Sequence, residues 1–170
     1  MASLELLLLA FVLCTSATVA AKPYEHYTLS LSSQTLNPVS VYQVNGTVTN
    51  ASSLTGNSSG NAIFINPASV TYDFGRNVTG NVTLEVGDVD ADQYIGLTYT
   101  NSSLLCNGTG EGSAATADAG SNATIWFFTT GPGNYTAPRE HWIGDFRYLS
   151  LLHNTTGGIE IRRVTVDTTN

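Results

Sequence analysis

The sequence predicts an all-β fold, a β-sandwich or jelly-roll of about eight short strands, and three observations carry that prediction. Apolar residues recur mostly at every second position rather than every 3.6. Gly and Asn clusters punctuate the apolar runs. After the N-terminus there is no sustained helical stripe, and Ser113 to Ala119 has room for one turn at most. With 39 Ser or Thr among 170 residues, the chain is β-prone and surface-polar without being charged.

Taken in order, the first element is a signal helix. Leu6 to Cys14 is a nine-residue apolar run, shorter than the ~20 residues a bilayer span needs. Small residues from Thr15 to Ala21 follow, suited to cleavage after Ala20 or Ala21. Residues 1–21 therefore read as a secretory signal peptide, although its n-region carries Glu5 and no Lys or Arg. Residues 22–170 are then one exported domain, extracellular, with no later stretch apolar enough to hold it in a membrane. Tyr42, Val44, Gly46 and Val48 alternate as one strand. Ala62–Ile65 and Val70–Tyr72 are two short strands around Asn66-Pro67. Asn77 to Val86 is one strand with Val78, Val82, Leu84 and Val86 on its packed face. After the polar turn Asp88-Val89-Asp90-Ala91-Asp92, Tyr94 to Thr100 is a strand.

Ala123 to Thr129 contains Ile125-Trp126-Phe127-Phe128, apolar on both faces as in a central strand, and Gly131-Pro132-Gly133 ends it. Phe146 to Leu152 is also apolar on both faces. Ile159 and Ile161 alternate until Arg162-Arg163 puts two residues where one is expected, the mark of a β-bulge before Val164 and Val166. Between strands, Asn101 to Ser121 exceeds the usual connection length.

Composition excludes some functions. Only 11% of residues are charged, and the net charge is −7. Six scattered cations do not make a phosphate-binding surface, so nucleic acid is not a partner. Asn45, Asn50, Asn57, Asn77, Asn81, Asn101, Asn107, Asn122, Asn134 and Asn154 each begin N-x-S/T. Chance would give about three such sites, and the excess points to N-glycosylation in a eukaryotic secretory route. Cys14 leaves with the signal; Cys106 is then an unpaired, half-buried thiol or a partner for a cysteine elsewhere.

No motif supports catalysis or a metal. Gly56-Asn57-Ser58-Ser59-Gly60 fits G-x-S-x-G but lacks the buried strand and helix of a nucleophile elbow. Asp88-x-Asp90-x-Asp92 opens like a calcium loop, yet the sixth and twelfth positions are Gln93 and Tyr99. His26, His141 and His153 lack metal-ligand spacing, and no cofactor is indicated. Glu111, Asp118, Glu140 and Asp145 are the acids of most interest for glycoside hydrolysis. Glu140 and Asp145 read as surface partners of Arg139 and Arg147. Tyr135, Arg139, Trp142 and Arg147 gather in sequence as rings and donors that suit a sugar. Alternatively, Trp142 covers a sandwich edge.

Val70-Thr71-Tyr72-Asp73-Phe74-Gly75-Arg76-Asn77-Val78-Thr79-Gly80 resembles the D-F-G-x-N-x-x-G strand of alpha-L-rhamnosidase-type (six-hairpin) glycoside hydrolases. Tyr94 to Thr100, Ala115 to Gly120, Phe146-Arg147-Tyr148-Leu149 and Pro38 to Gly46 are similar, in the same order, to phrases of the fungal secreted members. The resemblance implies a non-catalytic, galactose-binding-like sandwich placed before an (α/α)₆ barrel that carries the acid and base. The sequence stops at Asn170, before any barrel, so it resembles a fragment or truncated product, with the missing catalytic barrel and carbohydrate as partners. Asn101-Ser102-Ser103 departs from the family by placing a sequon where an acidic residue is expected. Two functions follow as expectations: an accessory domain of such a glycosidase, or a free-standing secreted lectin-like module.

Overall fold

The computed structural model describes residues 34–105, 124–138 and 145–168. The signal segment, Cys106, Glu111, Asp118, His26 and His141 lie outside them. Nine strands run along the described chain: β1 (Gln34–Leu36), β2 (Ser40–Thr49), β3 (Ala62–Val78), β4 (Asn81–Val89), β5 (Gln93–Thr100), β6 (Ile125–Thr129), β7 (Gly133–Thr136), β8 (Phe146–His153) and β9 (Gly158–Thr168). Their hydrogen-bonded order is β6-β5-β8-β3-β9-β4-β7, with β2 added to β3 and β1 to β9. Every pairing is antiparallel. The expected all-β sandwich is therefore what this sequence forms.

Strand β3 makes the sandwich by belonging to both layers. Its first part, Ala62–Ile65, pairs with β9, and its later part, from Ala68 onward, pairs with β8. The chain turns between them at Asn66, which has φ 59°. Pro67, which has no N–H to donate, sits where no ladder bond is required. Strand β2 turns beside it at Gly46 (φ 78°), where the β2–β3 register slips. A Cβ at Gly46 would stand 2.7 Å from the Pro67 carbonyl oxygen, so only glycine allows this close crossing. The two short strands expected around Asn66-Pro67 are thus one bent strand.

A second layer change corrects the expected single strand from Asn77 to Val86. Val78 pairs with Phe146 on β8, whereas Asn81 pairs with Asp167 on β9. The chain breaks at Thr79-Gly80, with room for no Cβ at Gly80. The two-residue break preserves parity, so Val78, Val82, Leu84 and Val86 are all buried as expected.

The core lies between the layers, with Phe64, Val70, Tyr72, Leu84, Ile95, Leu97, Leu149, Leu151, Ile159, Ile161, Val164 and Val166 fully buried. At about 25 cal/mol per Å² of apolar surface, such side chains are the main stabilising contribution. The bulge expected at Arg162-Arg163 is present: Glu85 pairs with Arg163 and Val86 with Ile161, leaving Arg162 as the extra residue.

Two strand expectations fail. Strand β2 does not turn Tyr42 and Val44 into the core; both are exposed, and Tyr42 packs on Tyr148 with centroids 5.1 Å apart. Strand β6 is not central. Among the described strands it stands at the end of the order, paired with β5 alone, and Ile125 and Thr129 face inward while Trp126 and Phe128 face solvent. Strand β7, after Gly131-Pro132-Gly133, was not expected.

Candidate functional site

Of the aromatic and basic residues expected to gather, the two described ones lie on different strands. Tyr135 lies on β7 and Arg147 on β8, with β3, β9 and β4 between them in the order. Arg139 and Trp142 lie outside the described residues. The Tyr135 ring is half-buried against Phe127, and its hydroxyl donates to the Gly131 carbonyl at 3.0 Å. It is thus occupied with packing.

Arg147 is also engaged, and not with its neighbour Asp145. Its Nε and Nη2 donate to the two carboxylate oxygens of Asp73, each at 2.8 Å, a bidentate pair. Asp145 instead accepts from the Thr79 hydroxyl at 2.8 Å. Asp73 also accepts from the Gly75 N–H at 2.6 Å, which holds the irregular Phe74–Asn77 stretch where the β3–β8 register slips. The hydrogen bonds from Arg147 hold the Asp73 carboxyl below the usual carboxylate range. Phe74 meets Phe146 edge-on at 5.8 Å. The D-F-G and F-R-Y-L phrases are therefore two halves of one structural joint.

A polar cleft of about 470 Å³ lies elsewhere, lined by Leu54, Asn57, Asn61, Glu85, Arg162 and Arg163 among others. Its charges satisfy one another: Arg163 pairs with Glu85 at 3.7 Å and Arg162 with Glu160 at 3.4 Å. Glu160 also accepts the Asp88 N–H at 2.9 Å, which lowers its carboxyl pKa, and Asn61 donates to it. Among the described residues no aromatic ring lines this cleft. Asp88, Asp90 and Asp92 are exposed. Among the described residues no group of three or more His, Cys, Asp or Glu is placed to hold a metal ion.

His153 is fully buried among polar partners. Its Nδ1 lies 2.7 Å from the Asn66 carbonyl oxygen, and its Nε2 lies 2.7 Å from Gln93 Oε1 and 2.9 Å from Thr155 Oγ1. Burial lowers its pKa. This cluster ties the bend of β3 to the ends of β5 and β8.

The feature with the most open chemistry is an aromatic face on β5 and β6. Trp126 pairs across from Gly96 and Phe128 from Tyr94. A Cβ on Gly96 would be 2.9 Å from the Trp126 ring, so the missing side chain lets the indole lie down on β5. Phe128 and Tyr94 stack at 5.1 Å with a 43° tilt. All three rings are between 42% and 49% exposed. Such a face offers apolar contact and π-stacking, with no paired carboxylates among the rings. The sequence did not single it out, because the same run reads equally well as a buried central strand.

Of the sequons, Asn45, Asn50, Asn57, Asn77, Asn101, Asn134 and Asn154 are exposed. Asn81 is partly buried, and its Oδ1 is enclosed without a hydrogen-bond partner among the described residues. Asn107 and Asn122 lie outside the described residues.

No family model and no curated protein matches the sequence. Solved structures do resemble it. A rhamnosidase from Klebsiella oxytoca with rhamnose bound superposes with a TM-score of 0.59 at 15% identity, covering 81% of this chain. The chain spans 29% of that protein's length. CpGH89CBM32-4, produced by Clostridium perfringens and in complex with GlcNAc-alpha-1,4-galactose, superposes at 0.51 with 13% identity, over 81% of this chain and 97% of that one. The family 32 CBM of C. perfringens NanJ in complex with galactose gives 0.48 at 10% identity, over 81% and 93%. At these identities the likeness to the first two establishes the β-sandwich fold alone.

Proposed function

We propose that this chain is a non-catalytic accessory sandwich of a secreted alpha-L-rhamnosidase-type glycoside hydrolase, formed by residues 22–170 after loss of a signal peptide at 1–21. We propose further that it contacts carbohydrate through the Tyr94–Trp126–Phe128 face. The observation that carries the reading is that face: three half-exposed rings on adjacent strands, with Gly96 making room for the indole. The apolar C–H side of a pyranose suits such rings, while its hydroxyls stay in water. The fold likeness to part of a rhamnosidase supports the accessory role.

The test is affinity electrophoresis of the secreted protein, stripped of N-glycans, through gels holding rhamnose-, galactose- or mannuronate-containing polysaccharides. Retardation by at least one, lost in Trp126→Ala with the β-rich circular-dichroism spectrum retained, is expected. No retardation by any of them refutes the binding role. An aryl rhamnoside is expected not to turn over. Turnover that disappears when Glu111, Asp118, Glu140 or Asp145 is replaced would overturn the non-catalytic part. The likeness over 97% of a sugar-complexed domain favours a second reading, a free-standing lectin-like module. A reading frame continuing past Asn170 into a helical barrel decides for the first.

A further inference from the structure

The aromatic face has a glycosylation sequon at its rim. In the β5–β8 ladder Ile95 pairs with His153 and Gly96 with Leu152, and Asn154 is the first residue beyond the end of β8, next to the start of β5. Within the ladder His153 turns inward to Gln93, whereas Leu152, across from Gly96, lies on the outer face that Tyr94 shares. Asn154 is exposed. The Tyr94 N–H donates to Thr155 Oγ1 at 3.4 Å, and the Thr155 hydroxyl also reaches Gln93, so the sequon is pinned against the start of β5. A sugar ring carried on the Asn154 amide therefore starts one residue from the Thr155–Tyr94 contact, within reach of the Tyr94–Phe128 pair.

We propose that the resident ligand of this face is the chain's own N-glycan at Asn154, its innermost pyranose rings lying on Tyr94 and Phe128. The inference rests on the secretory, carbohydrate-contacting reading above. The linkage is the usual one. The Asn154 amide nitrogen bonds to the anomeric carbon of a lipid-linked oligosaccharide donor, the lipid pyrophosphate leaves, and the amide gives up one proton. Tethering commits the face to this occupant, because a short link supplies the ring at an effective concentration in the millimolar range. An untethered sugar must match that to displace it. The glycan also shields two exposed rings, Phe128 on the end strand and Tyr94 on its neighbour, a surface prone to association. The face is then closed to outside glycans while Asn154 is occupied.

The experiment compares the intact secreted glycoprotein with Thr156→Ala. That substitution removes the sequon but keeps Asn154, Thr155 and the Thr156 carbonyl that accepts from Gln93. Peptide mass mapping should find Asn154 occupied. Thr156→Ala should lower Tm by about 2–4 °C, raise binding of an apolar dye, and increase retardation by polysaccharide. In a Tyr94→Ser/Phe128→Ser background, adding Thr156→Ala should change Tm and dye binding little. Asn154 empty while other sequons are filled overturns the inference and leaves the proposed function standing. Equal dye binding and Tm with and without the glycan also overturn it. Retardation absent even from Thr156→Ala counts against the carbohydrate-binding role, while the dye and Tm measurements still decide the inference. No sequon filled anywhere sinks the secretory reading itself.

Discussion

Tyr72→Phe isolates one buried hydrogen bond and predicts opposite effects at neutral and alkaline pH. The Tyr72 ring is fully buried, and its hydroxyl donates to the Ala51 carbonyl at 3.0 Å. Ala51 opens a short 3-10 turn, Ala51–Leu54, whose Leu54 is itself buried and lines the polar cleft. Removing the oxygen keeps the ring in the core and takes away one hydrogen bond to the buried Ala51 carbonyl, which costs about 1–2 kcal/mol. In a domain of this size that is a fall in Tm of about 2–8 °C.

Alkali reverses the comparison. Burial pushes the Tyr72 phenol far above its ordinary value of about 10. The folded state thus favours the neutral phenol more than the unfolded chain does. That contribution is whole below pH ~10 and is lost as pH rises from there toward the folded value. Tyr72→Phe has no such proton to lose, so its stability should fall less steeply above pH 10. Tyr99, raised by burial in the same way, keeps part of the fall in the variant. Thermal melts followed by circular dichroism at pH 7 and at steps from pH 9.5 upward measure both effects. A Tm at pH 7 within about 1 °C of the parent protein, or an equally steep alkaline loss, would refute the reasoning.

Two further outcomes follow from particular residues. Gly46→Ala places a side chain at φ 78° and a Cβ 2.7 Å from the Pro67 carbonyl; a loss of at least ~1–3 kcal/mol in urea unfolding is expected, and a neutral result would show that the β2–β3 crossing is loose. The His153 pKa is depressed, so the stability tied to its neutral ring is present above the ordinary histidine value of about 6.5 and is lost as pH falls from there through the folded value. The Tm loss between pH 7.5 and 5 should shrink in His153→Gln, and an unchanged loss would exclude the ring as its source.

Much of the fold is legible because period-two patterning reports burial directly. Val78, Val82, Leu84 and Val86 are buried as their spacing requires, although the chain changes layers between Val78 and Asn81. A two-residue break leaves parity intact, so it is silent in the pattern. The Arg162-Arg163 bulge was legible for the converse reason, since one extra residue shifts the phase. The bend at Asn66-Pro67 left a trace in composition but none in connectivity. Asn and Pro mark a turn equally well when a strand ends and when it bends into the opposite layer.

The candidate site was less legible, because what makes it a surface is sheet order. Ile125-Trp126-Phe127-Phe128 is apolar at every position, and a strand covered on both faces has that composition. So does an end strand that presents rings outward. The choice between them depends on which strand pairs with β5 on its far side, a relation between segments that no local pattern contains. Gly96 is the one clue within the chain. A glycine inside a strand makes room for a neighbour that approaches closely, and here that neighbour is the Trp126 indole. Arg147 misled for a related reason: Asp145 is nearer in sequence, but alternation and the β3–β8 register carry the guanidinium to Asp73. Pairing across strands therefore decides both outcomes. It gives two donors of Arg147 to the Asp73 carboxylate, and it makes the aromatic face by leaving β6 with β5 as its one neighbour among the described strands.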